Sequence, residues 1–281
     1  MIYSTHQLST KQLQDVMALA ECCKEQDGNA PDWYPHILKQ YRRFPATLLY
    51  YHEEHLVGFL SLYFFYEQAV ELSLFVHPAH RRQKIGQQLL QTIMPLMTQQ
   101  APKHIIFSVP GGCYPEWLAA KKATYLHSEY AMVRKDAAPI VLAQESPLSF
   151  RQATAGDWPA IQLLDDQCFP DKEGAYSAQL TDLFDDSEYQ IILGLQAKKP
   201  IGKAHLRWQE GAVMLSDIAI TPELQGRGLG SVLIAYCINE GLSLGAKAFY
   251  LDVETHNQRA LDLYRRLGFV VKNACDFWSI E

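Results

Sequence analysis

The 281-residue sequence lacks several patterns that define other classes of protein. None of its six cysteines lies in a C-x-x-C pair and no His/Cys cluster has zinc-ligand spacing, so neither a metal site nor a disulfide scaffold is expected. No apolar run reaches the roughly 18 residues of a membrane span, and residues 1–10 are too polar for a signal peptide. We therefore expect a cytoplasmic protein with reduced thiols and no membrane partner.

The sequence also lacks an excess of positive charge. Its formal net charge is -6 and its pI is about 5.9, which argues against nucleic acid as a partner. Hydrophobic residues make up 48% and charged residues 20%, the composition of a folded globular protein rather than a disordered one. The length suits one large domain or two ordinary ones.

The sequence does contain an internal repeat at an offset of 144 residues. Small and apolar residues recur at this offset in equivalent pattern contexts, which chance does not readily produce five times. The matched pairs are Gly58 and Gly202, Pro78 and Pro222, Gly86 and Gly230, Leu89 and Leu233, and Val109 and Val253. Because the offset is about half of the chain, it predicts a duplicated domain, at 1–138 and 148–281, with a linker at 136–147.

Hydrophobic periodicity predicts the same order of elements in both halves. The C-terminal half is predicted to have strands at 149–153, 189–196, 201–208, 213–220 and 249–253, helices at 157–168, 228–243 and 258–267, and a final hairpin at 269–280. The N-terminal half is predicted to have strands at 47–52, 56–66, 70–76 and 104–109 and a helix from 85 to about 97. Each half is therefore predicted to be a mixed α/β unit with a central sheet.

A glycine-rich segment, Gln225-Gly226-Arg227-Gly228-Leu229-Gly230, joins a predicted strand to a predicted helix. Its glycines let backbone N–H groups converge without interference from Cβ atoms. The first N–H groups of the next helix lack internal partners and lie at the positive end of the helix dipole. The segment therefore suits phosphate groups, although a tight turn without a ligand fits the same residues. Its spacing matches neither G-x-G-x-x-G nor a P-loop.

A second motif covers residues 257–269. Asn257 and Tyr264 are seven residues apart, nearly two helical turns, so on a helix they share one face about 10 Å apart. That spacing suits two contacts with one extended ligand. Each residue also has a purely structural interpretation, Asn257 as a helix N-cap and Tyr264 as a core side chain, with Gly268 as a C-cap in both.

These two motifs resemble the signatures of GNAT acyltransferases. Gln225-x-x-Gly228-x-Gly230 is similar to the family's Gln/Arg-x-x-Gly-x-Gly/Ala loop, and residues 257–269 to its Asn-x-x-Ala-x-x-x-Tyr-x-x-x-Gly-Phe pattern. The resemblance implies an α/β fold of the α+β type with a mixed sheet, built as two tandem GNAT domains. It also implies acetyl-CoA as cosubstrate, without a metal. The residues that it assigns to coenzyme binding are Ile218, Ala219, Ile220, Gln225, Gly226, Arg227, Gly228, Leu229, Gly230, Ser231 and Asn257.

The resemblance also implies the catalytic roles. Tyr264 would be the general acid that protonates the thiolate leaving group, and a base must deprotonate the attacking amine. Many relatives carry a glutamate at the position of Ser216, so the adjacent Asp217 is our first candidate for the base, with Glu254 or a chain of waters as alternatives. The expected reaction is acetylation of a primary amine of a small molecule. A protein N-terminal or lysine acetyltransferase and a non-catalytic acyl-CoA sensor are the alternatives, and the oligomeric state is not predicted.

The N-terminal half carries an eroded copy of the same motifs. At the offset of 144, Lys84 replaces Gly228, Cys113 replaces Asn257 and Ala120 replaces Tyr264, while Arg81 and Gly86 remain compatible with the loop. We therefore expect no catalysis in this half and leave coenzyme binding there open. Four further side chains could line an acceptor pocket but are more typical of a core: Tyr176, His205, Trp208 and Trp278.

Overall fold

A computed structural model describes residues 1–141, 148–169, 184 and 186–280, so Tyr176 and residues 142–147 of the expected linker lie outside the described residues. The chain divides into two compact units. The N-terminal unit contains residues 1–130 together with 273–281, and the C-terminal unit contains residues 131–272. Residues 273–280 therefore belong to the N-terminal unit, whereas the sequence repeat predicts them in the C-terminal domain. Among the described residues, no helix combines the length and apolar composition needed to cross a membrane.

The N-terminal unit is a mixed sheet with helices packed on it. Its elements are β1 (Ile2–Thr5), α1 (Thr10–Asp27), α2 (Pro35–Leu38), β2 (Thr47–His52), β3 (His55–Tyr63), β4 (Ala69–Val76), α3 (Ile85–Gln100), β5 (His104–Pro110), α4 (Pro115–Ala120), the first part of β6 (Thr124–Arg134) and most of β12 (Val270–Ile280). The strand order is β1-β2-β3-β4-β5-β12, in which only β4 and β5 are parallel. Helix α3 makes the crossover that a parallel pair requires.

The C-terminal unit repeats this arrangement. Its elements are β7 (Ser149–Gln152), α5 (Trp158–Cys168), β8 (Tyr189–Gln196), β9 (Lys199–Gln209), β10 (Ala212–Ile220), α6 (Leu229–Ser243), β11 (Ala248–Glu254) and α7 (Gln258–Arg266). These strands lie in the order β11-β10-β9-β8-β7, with β10 and β11 parallel and the others antiparallel. The two α/β units and their mixed sheets confirm the predicted fold class.

Successive side chains of the central strands point to opposite faces of the sheet, and both faces are buried. Along β3 and β4 of the N-terminal unit, Leu60 and Leu72 pack on one side with α3, whereas Phe59 and Phe75 pack on the other with α1. Helix α1 begins at a capping box made by Ser9 and Gln12 and ends at a left-handed glycine. The burial of large apolar side chains, at about 25 cal/mol per Å², is the main stabilising contribution.

The predicted hairpin at residues 269–280 is wrong, because this segment is the single strand β12. Asn273, a residue that favours turns, is held in an extended chain by two hydrogen bonds. Its Oδ1 accepts the N–H of Ala30 at 2.9 Å, and its Nδ2 donates to the Ala30 carbonyl at 2.8 Å. Beyond it, Cys275–Ile280 pair antiparallel to β5.

The repeat is not free of gaps, because β10 contains a bulge that β4 lacks. In the N-terminal unit β3 and β4 pair without a break, with Ser61 opposite Ser73. In the C-terminal unit a bulge separates Ser216, opposite His205, from Ala219, opposite Lys203. The offset is therefore 143 before the bulge and 144 after it, and Asp217 is the extra residue. Bulges are over-represented beside active sites, where they redirect a side chain.

Candidate active site

The parallel strands β10 and β11 pair only near their N-terminal ends and not toward their C-terminal ends. Their pairing covers only Ala212–Met214 and Ala248–Tyr250, whereas β9 accompanies β10 as far as Ile220. In the described part of the chain, the backbone of residues 218–220 thus has a neighbouring strand on one side only. The side chains of Ala219 and Ile220 are buried, so a ligand here would meet the backbone, as a peptide does when it extends a sheet.

A single turn at Pro222–Leu224 joins the open strand edge to the glycine loop. Gly226 and Gly228 have φ values of 81° and 80°, and Gly228 is the N-cap of α6. Gln225 Nε2 donates a hydrogen bond of 2.9 Å to the Ile220 carbonyl and so ties the loop to the end of β10. Of the remaining loop residues, Leu229 is buried and Arg227 is exposed, with its guanidinium 3.3 Å from the Glu223 carbonyl oxygen. The loop has the turn and helix N-terminus that the sequence predicts.

Helix α7 packs against this loop. A Cβ at Gly230 would lie 3.5 Å from Leu263 Cδ1, and a Cβ at Gly226 would lie 2.9 Å from Arg259 Nη2. The Arg259 guanidinium therefore sits directly over the loop and adds a positive charge beside its N–H groups. Sequence reasoning missed Arg259, because nothing in the motif spacing indicates which helix covers the loop.

The same helix carries Asn257 and Tyr264. Asn257 is the N-cap, and its Oδ1 accepts the Ala260 N–H at 3.1 Å, which leaves the side-chain NH₂ as the group for a ligand. Tyr264 is 9% exposed and makes an edge contact with Phe269. Burial raises the pKa of the Tyr264 hydroxyl to about 12, because the phenolate would be poorly solvated. The hydroxyl thus keeps its proton at neutral pH.

The two candidate bases lie in different surroundings. Asp217 occupies the bulge of β10 with a φ of 47°, and its Oδ2 is 3.6 Å from Nδ1 of the buried His205. Its side chain is 18% exposed, so it can exchange protons with solvent. Glu254, at the end of β11, is 46% exposed and faces His256 Nε2 at 3.1 Å. Asp217 is thus the less exposed of the two carboxylates, and it lies at a constrained backbone position.

The cap of α7 allows one test of Asn257. Asn257→Ala should lower the free energy of unfolding by about 1 kcal/mol through loss of the cap, and should also weaken acetyl-CoA binding. Asn257→Asp keeps the cap acceptor but loses the NH₂ donor, so it should bind acetyl-CoA more weakly at unchanged stability. Thermal unfolding and calorimetric titration measure the two effects separately. If Asn257→Asp binds acetyl-CoA with wild-type affinity, Asn257 acts only as the N-cap of α7.

The N-terminal unit keeps the backbone of the loop without its glycines. Arg82 and Lys84 both have φ values of 63°, at the positions of Gly226 and Gly228. Arg81 Nε donates to the Val76 carbonyl at 3.1 Å, as Gln225 does to Ile220. The Arg81 guanidinium is also engaged by both Asp27 oxygens, at 2.8 and 2.7 Å.

The face of the N-terminal sheet beside this loop is covered by the segment between α1 and α2. The Asp32 N–H donates to Ser108 Oγ at 2.9 Å, Ser73 Oγ donates to the Asp32 carbonyl, and the Tyr63 hydroxyl donates to the Trp33 carbonyl at 2.6 Å. The parallel pairing also runs further, over Ala69–Ser73 with His104–Ser108. The N-terminal unit therefore has a longer parallel pair, although residues 74–76 lie beyond it, and a face covered by this segment. Trp278, on β12, packs against the core of the N-terminal unit.

Comparison with known proteins agrees with this architecture. The model of the acetyltransferase (GNAT) family matches residues 13–109 and 158–269, one match in each half. Mycothiol acetyltransferase of Clavibacter sepedonicus is 26% identical over 219 residues, which cover 72% of this chain and 70% of the relative. Mycothiol acetyltransferase of Mycobacteroides abscessus is 43% identical over 92 residues, 31% of each chain.

Two solved structures share the fold over nearly the whole chain. A GCN5-related N-acetyltransferase from Sphaerobacter thermophilus has a TM-score of 0.76 at 15% identity, and covers 99% of this chain and 95% of its own. A tandem GNAT protein from the clavulanic acid biosynthesis pathway has a TM-score of 0.68 at 16% identity, with coverage of 100% and 98%. The chain belongs to the GNAT acetyltransferase family, as a tandem member and an acyltransferase.

Proposed function

We propose that the C-terminal repeat, residues 148–281, transfers an acetyl group from acetyl-CoA to a primary amine of a small molecule. The observation that carries this proposal is the open edge of β10, which a single turn at Pro222–Leu224 joins to the glycine loop beside α7. An extended ligand with a pyrophosphate at one end and amides along its arm is complementary to such a surface. The N-terminal repeat, residues 1–138, would serve as a structural partner without catalysis of its own.

The residues present suit acetyl-CoA from its pyrophosphate along its pantetheine arm. The N–H groups of residues 226–231, with Arg259 above them, would hold the pyrophosphate, and Gln225 would keep the loop in place. The backbone of Ile218, Ala219 and Ile220 would hydrogen-bond the amides of the pantetheine arm. The NH₂ of Asn257 would meet a carbonyl further along the arm. The thioester that acetyl-CoA supplies makes the acetyl group ready for transfer to nitrogen.

Three groups of the protein would then carry out the transfer. Asp217 removes a proton from the incoming ammonium, so that a neutral amine attacks. A backbone N–H of β10 stabilises the negative charge that builds on the carbonyl oxygen. The Tyr264 hydroxyl, which burial keeps neutral, gives its proton to the departing thiolate and regains one from the nitrogen, whose second proton must leave to form the neutral amide. Asp217 therefore accepts a proton and is partly solvated, whereas Tyr264 donates a proton and is buried.

Two measurements on the intact chain test this function. Acetyl-CoA should raise the free energy of unfolding, by about 2.7 kcal/mol at a hundred times its Kd. Coenzyme A release should then be followed with a panel of small primary amines, with a lysine peptide and with a peptide that has a free N-terminus. Release with small amines alone supports the proposal. Release with the peptides alone would replace it with a protein acetyltransferase, and stabilisation without any release would indicate an acyl-CoA sensor.

A further inference from the structure

A buried arginine lies against the C-terminal end of α7. Arg134, the last residue of β6, is 3% exposed, and its Nε donates a hydrogen bond of 3.0 Å to the Leu267 carbonyl. Leu267 is the C-cap of α7, and the carbonyls at this end of a helix lack partners within the helix. A positive charge at this end also interacts favourably with the helix dipole. Arg134 therefore holds the end of α7 by a hydrogen bond and by its charge.

The turn that Arg134 contacts is the turn that contains Tyr264. The Tyr264 carbonyl accepts the Leu267 N–H at 3.1 Å and the Phe269 N–H at 3.0 Å. The second of these bonds closes the helix as in a Schellman motif. Gly268, inside this turn, has a φ of 87°, and a Cβ there would lie 3.4 Å from Arg134 Nε. Arg134 thus packs directly on the turn that holds the backbone of Tyr264.

The other two nitrogens of Arg134 are bonded to the segment that follows β6. Nη1 donates to the Asp136 carbonyl, and Nη2 donates to the Ala138 carbonyl at 2.6 Å. Further along, the Ile140 N–H donates to Asn239 Oδ1 at 2.7 Å, and Asn239 Nδ2 donates to the Ile140 carbonyl at 2.8 Å. Asn239 lies on α6, the helix that begins at the glycine loop. The first residues of the expected linker therefore connect α7 to α6.

The N-terminal unit lacks both side chains of this arrangement. At the offset of 144, Trp278 corresponds to Arg134, and Pro95 corresponds to Asn239. Trp278 packs on the core of its unit, and Pro95 lies inside α3. A buried guanidinium is tolerated only when its N–H groups are hydrogen-bonded, and the other copy has an uncharged side chain at this position. The two polar anchors occur in the unit that carries Tyr264, which indicates a role in the site.

We propose that Arg134 is a positioning residue for the acetyl transfer, which holds the last turn of α7 so that the Tyr264 hydroxyl stays beside the departing thiolate. This inference rests on the proposed function, in which Tyr264 gives its proton to that thiolate. Arg134 itself transfers no proton, because all three of its nitrogens donate to backbone carbonyls. Asn257 lies at the opposite end of α7, so the contact of Asn257 with the coenzyme should not depend on Arg134.

A double-mutant cycle separates positioning from a contribution to folding alone. Arg134→Met should lower kcat about tenfold at a temperature where the variant is folded, with the KM for acetyl-CoA within about twofold, because misplacement of a reacting group slows the transfer. In the Tyr264→Phe background the same substitution should change kcat less than about twofold, since no hydroxyl remains to be positioned. Arg265→Met is the matched control. Arg265 lies in the same turn but is 50% exposed, so kcat should not change.

Two kinetic results would overturn the inference. Wild-type kcat in folded Arg134→Met would show that Arg134 serves the fold alone. Losses that multiply in the double variant would show that Arg134 affects the reaction by a route other than Tyr264. If Arg134→Met does not fold, Arg134→Lys takes its place in the cycle with an expected loss of about fivefold, because lysine keeps the charge but has one nitrogen in place of three.

Amide hydrogen exchange, followed by NMR, measures the same contact without turnover. The N–H groups of Leu267 and Phe269 donate to the Tyr264 carbonyl. They should exchange at least about tenfold faster in Arg134→Met than in the wild type, and at the wild-type rate in Arg265→Met. Equal rates in Arg134→Met and the wild type would overturn the inference even if amines are acetylated. Absence of coenzyme A release with every amine would instead overturn the proposed function, while exchange still reports whether Arg134 holds this turn.

Discussion

Tyr264→Phe is expected to lower kcat about 100-fold, the contribution typical of a general acid, with acetyl-CoA binding within about twofold of wild type. The variant removes one oxygen and leaves the ring in its contact with Phe269, so the fold should persist. The hydroxyl is the only part of the side chain that can give a proton to the thiolate. Steady-state kinetics and calorimetric binding, measured on the same preparations, separate turnover from affinity.

Tyr250→Phe is the matched control for this experiment. Tyr250 lies on β11 and is 39% exposed, so loss of its hydroxyl should leave kcat unchanged. If Tyr264→Phe has the same kcat as the control, Tyr264 is not the general acid. Because the pKa of Tyr264 is raised to about 12, the wild-type enzyme should keep its proton donor throughout the range below that value. Loss of activity at mildly alkaline pH would therefore belong to another group.

Gly228→Lys is expected to raise the Kd for acetyl-CoA at least tenfold. The substitution copies the N-terminal unit, where Lys84 adopts the same left-handed backbone with a φ of 63°. A lysine can therefore keep the turn, at a strain of about 1 kcal/mol, but its Cβ projects where the backbone N–H groups would meet a phosphate. Charge acts in the opposite direction, since an added ammonium attracts the pyrophosphate. The result decides whether close approach or charge dominates in this loop.

Two further variants complete the comparison. Gly228→Ala adds the Cβ without the charge, and in the structure that Cβ would meet nothing within 4 Å. It should weaken binding at least as much as the lysine does. Lys84→Gly makes the reverse change in the N-terminal unit and should leave kcat/KM unaltered. Tighter binding by Gly228→Lys than by wild type would show that the loop acts by charge alone.

The part of the site that depends on local sequence could be predicted from the sequence. Gly226 and Gly228 supply backbone angles that other residues adopt at a cost, so their spacing identified the turn before α6. Asn257 capped a helix where its position predicted a cap. These features depend only on a few consecutive residues, so they can be predicted from the sequence without knowledge of the tertiary structure.

The part that depends on strand register could not be predicted. The shorter connection between β9 and β10 lowers the offset to 143, and the bulge at Asp217 returns it to 144, so the two changes conceal each other in the sequence. Without the register, nothing placed His205 beside Asp217, and the sequence favoured His205 as a core residue. The structure shows that it is buried as expected and yet contacts the candidate base.

The last strand of the chain, β12, has a consequence for how the protein is made. Its residues Cys275–Ile280 pair with β5, which leaves the ribosome some 165 residues earlier. Until residues 275–280 have been synthesised, β5 keeps one free edge that other strands could join. The N-terminal unit therefore reaches its final fold only after the C-terminal unit has been translated. A chain that ends just before residue 273 should therefore contain the whole C-terminal unit but an N-terminal unit without its edge strand, and we expect it to aggregate through the free edge of β5.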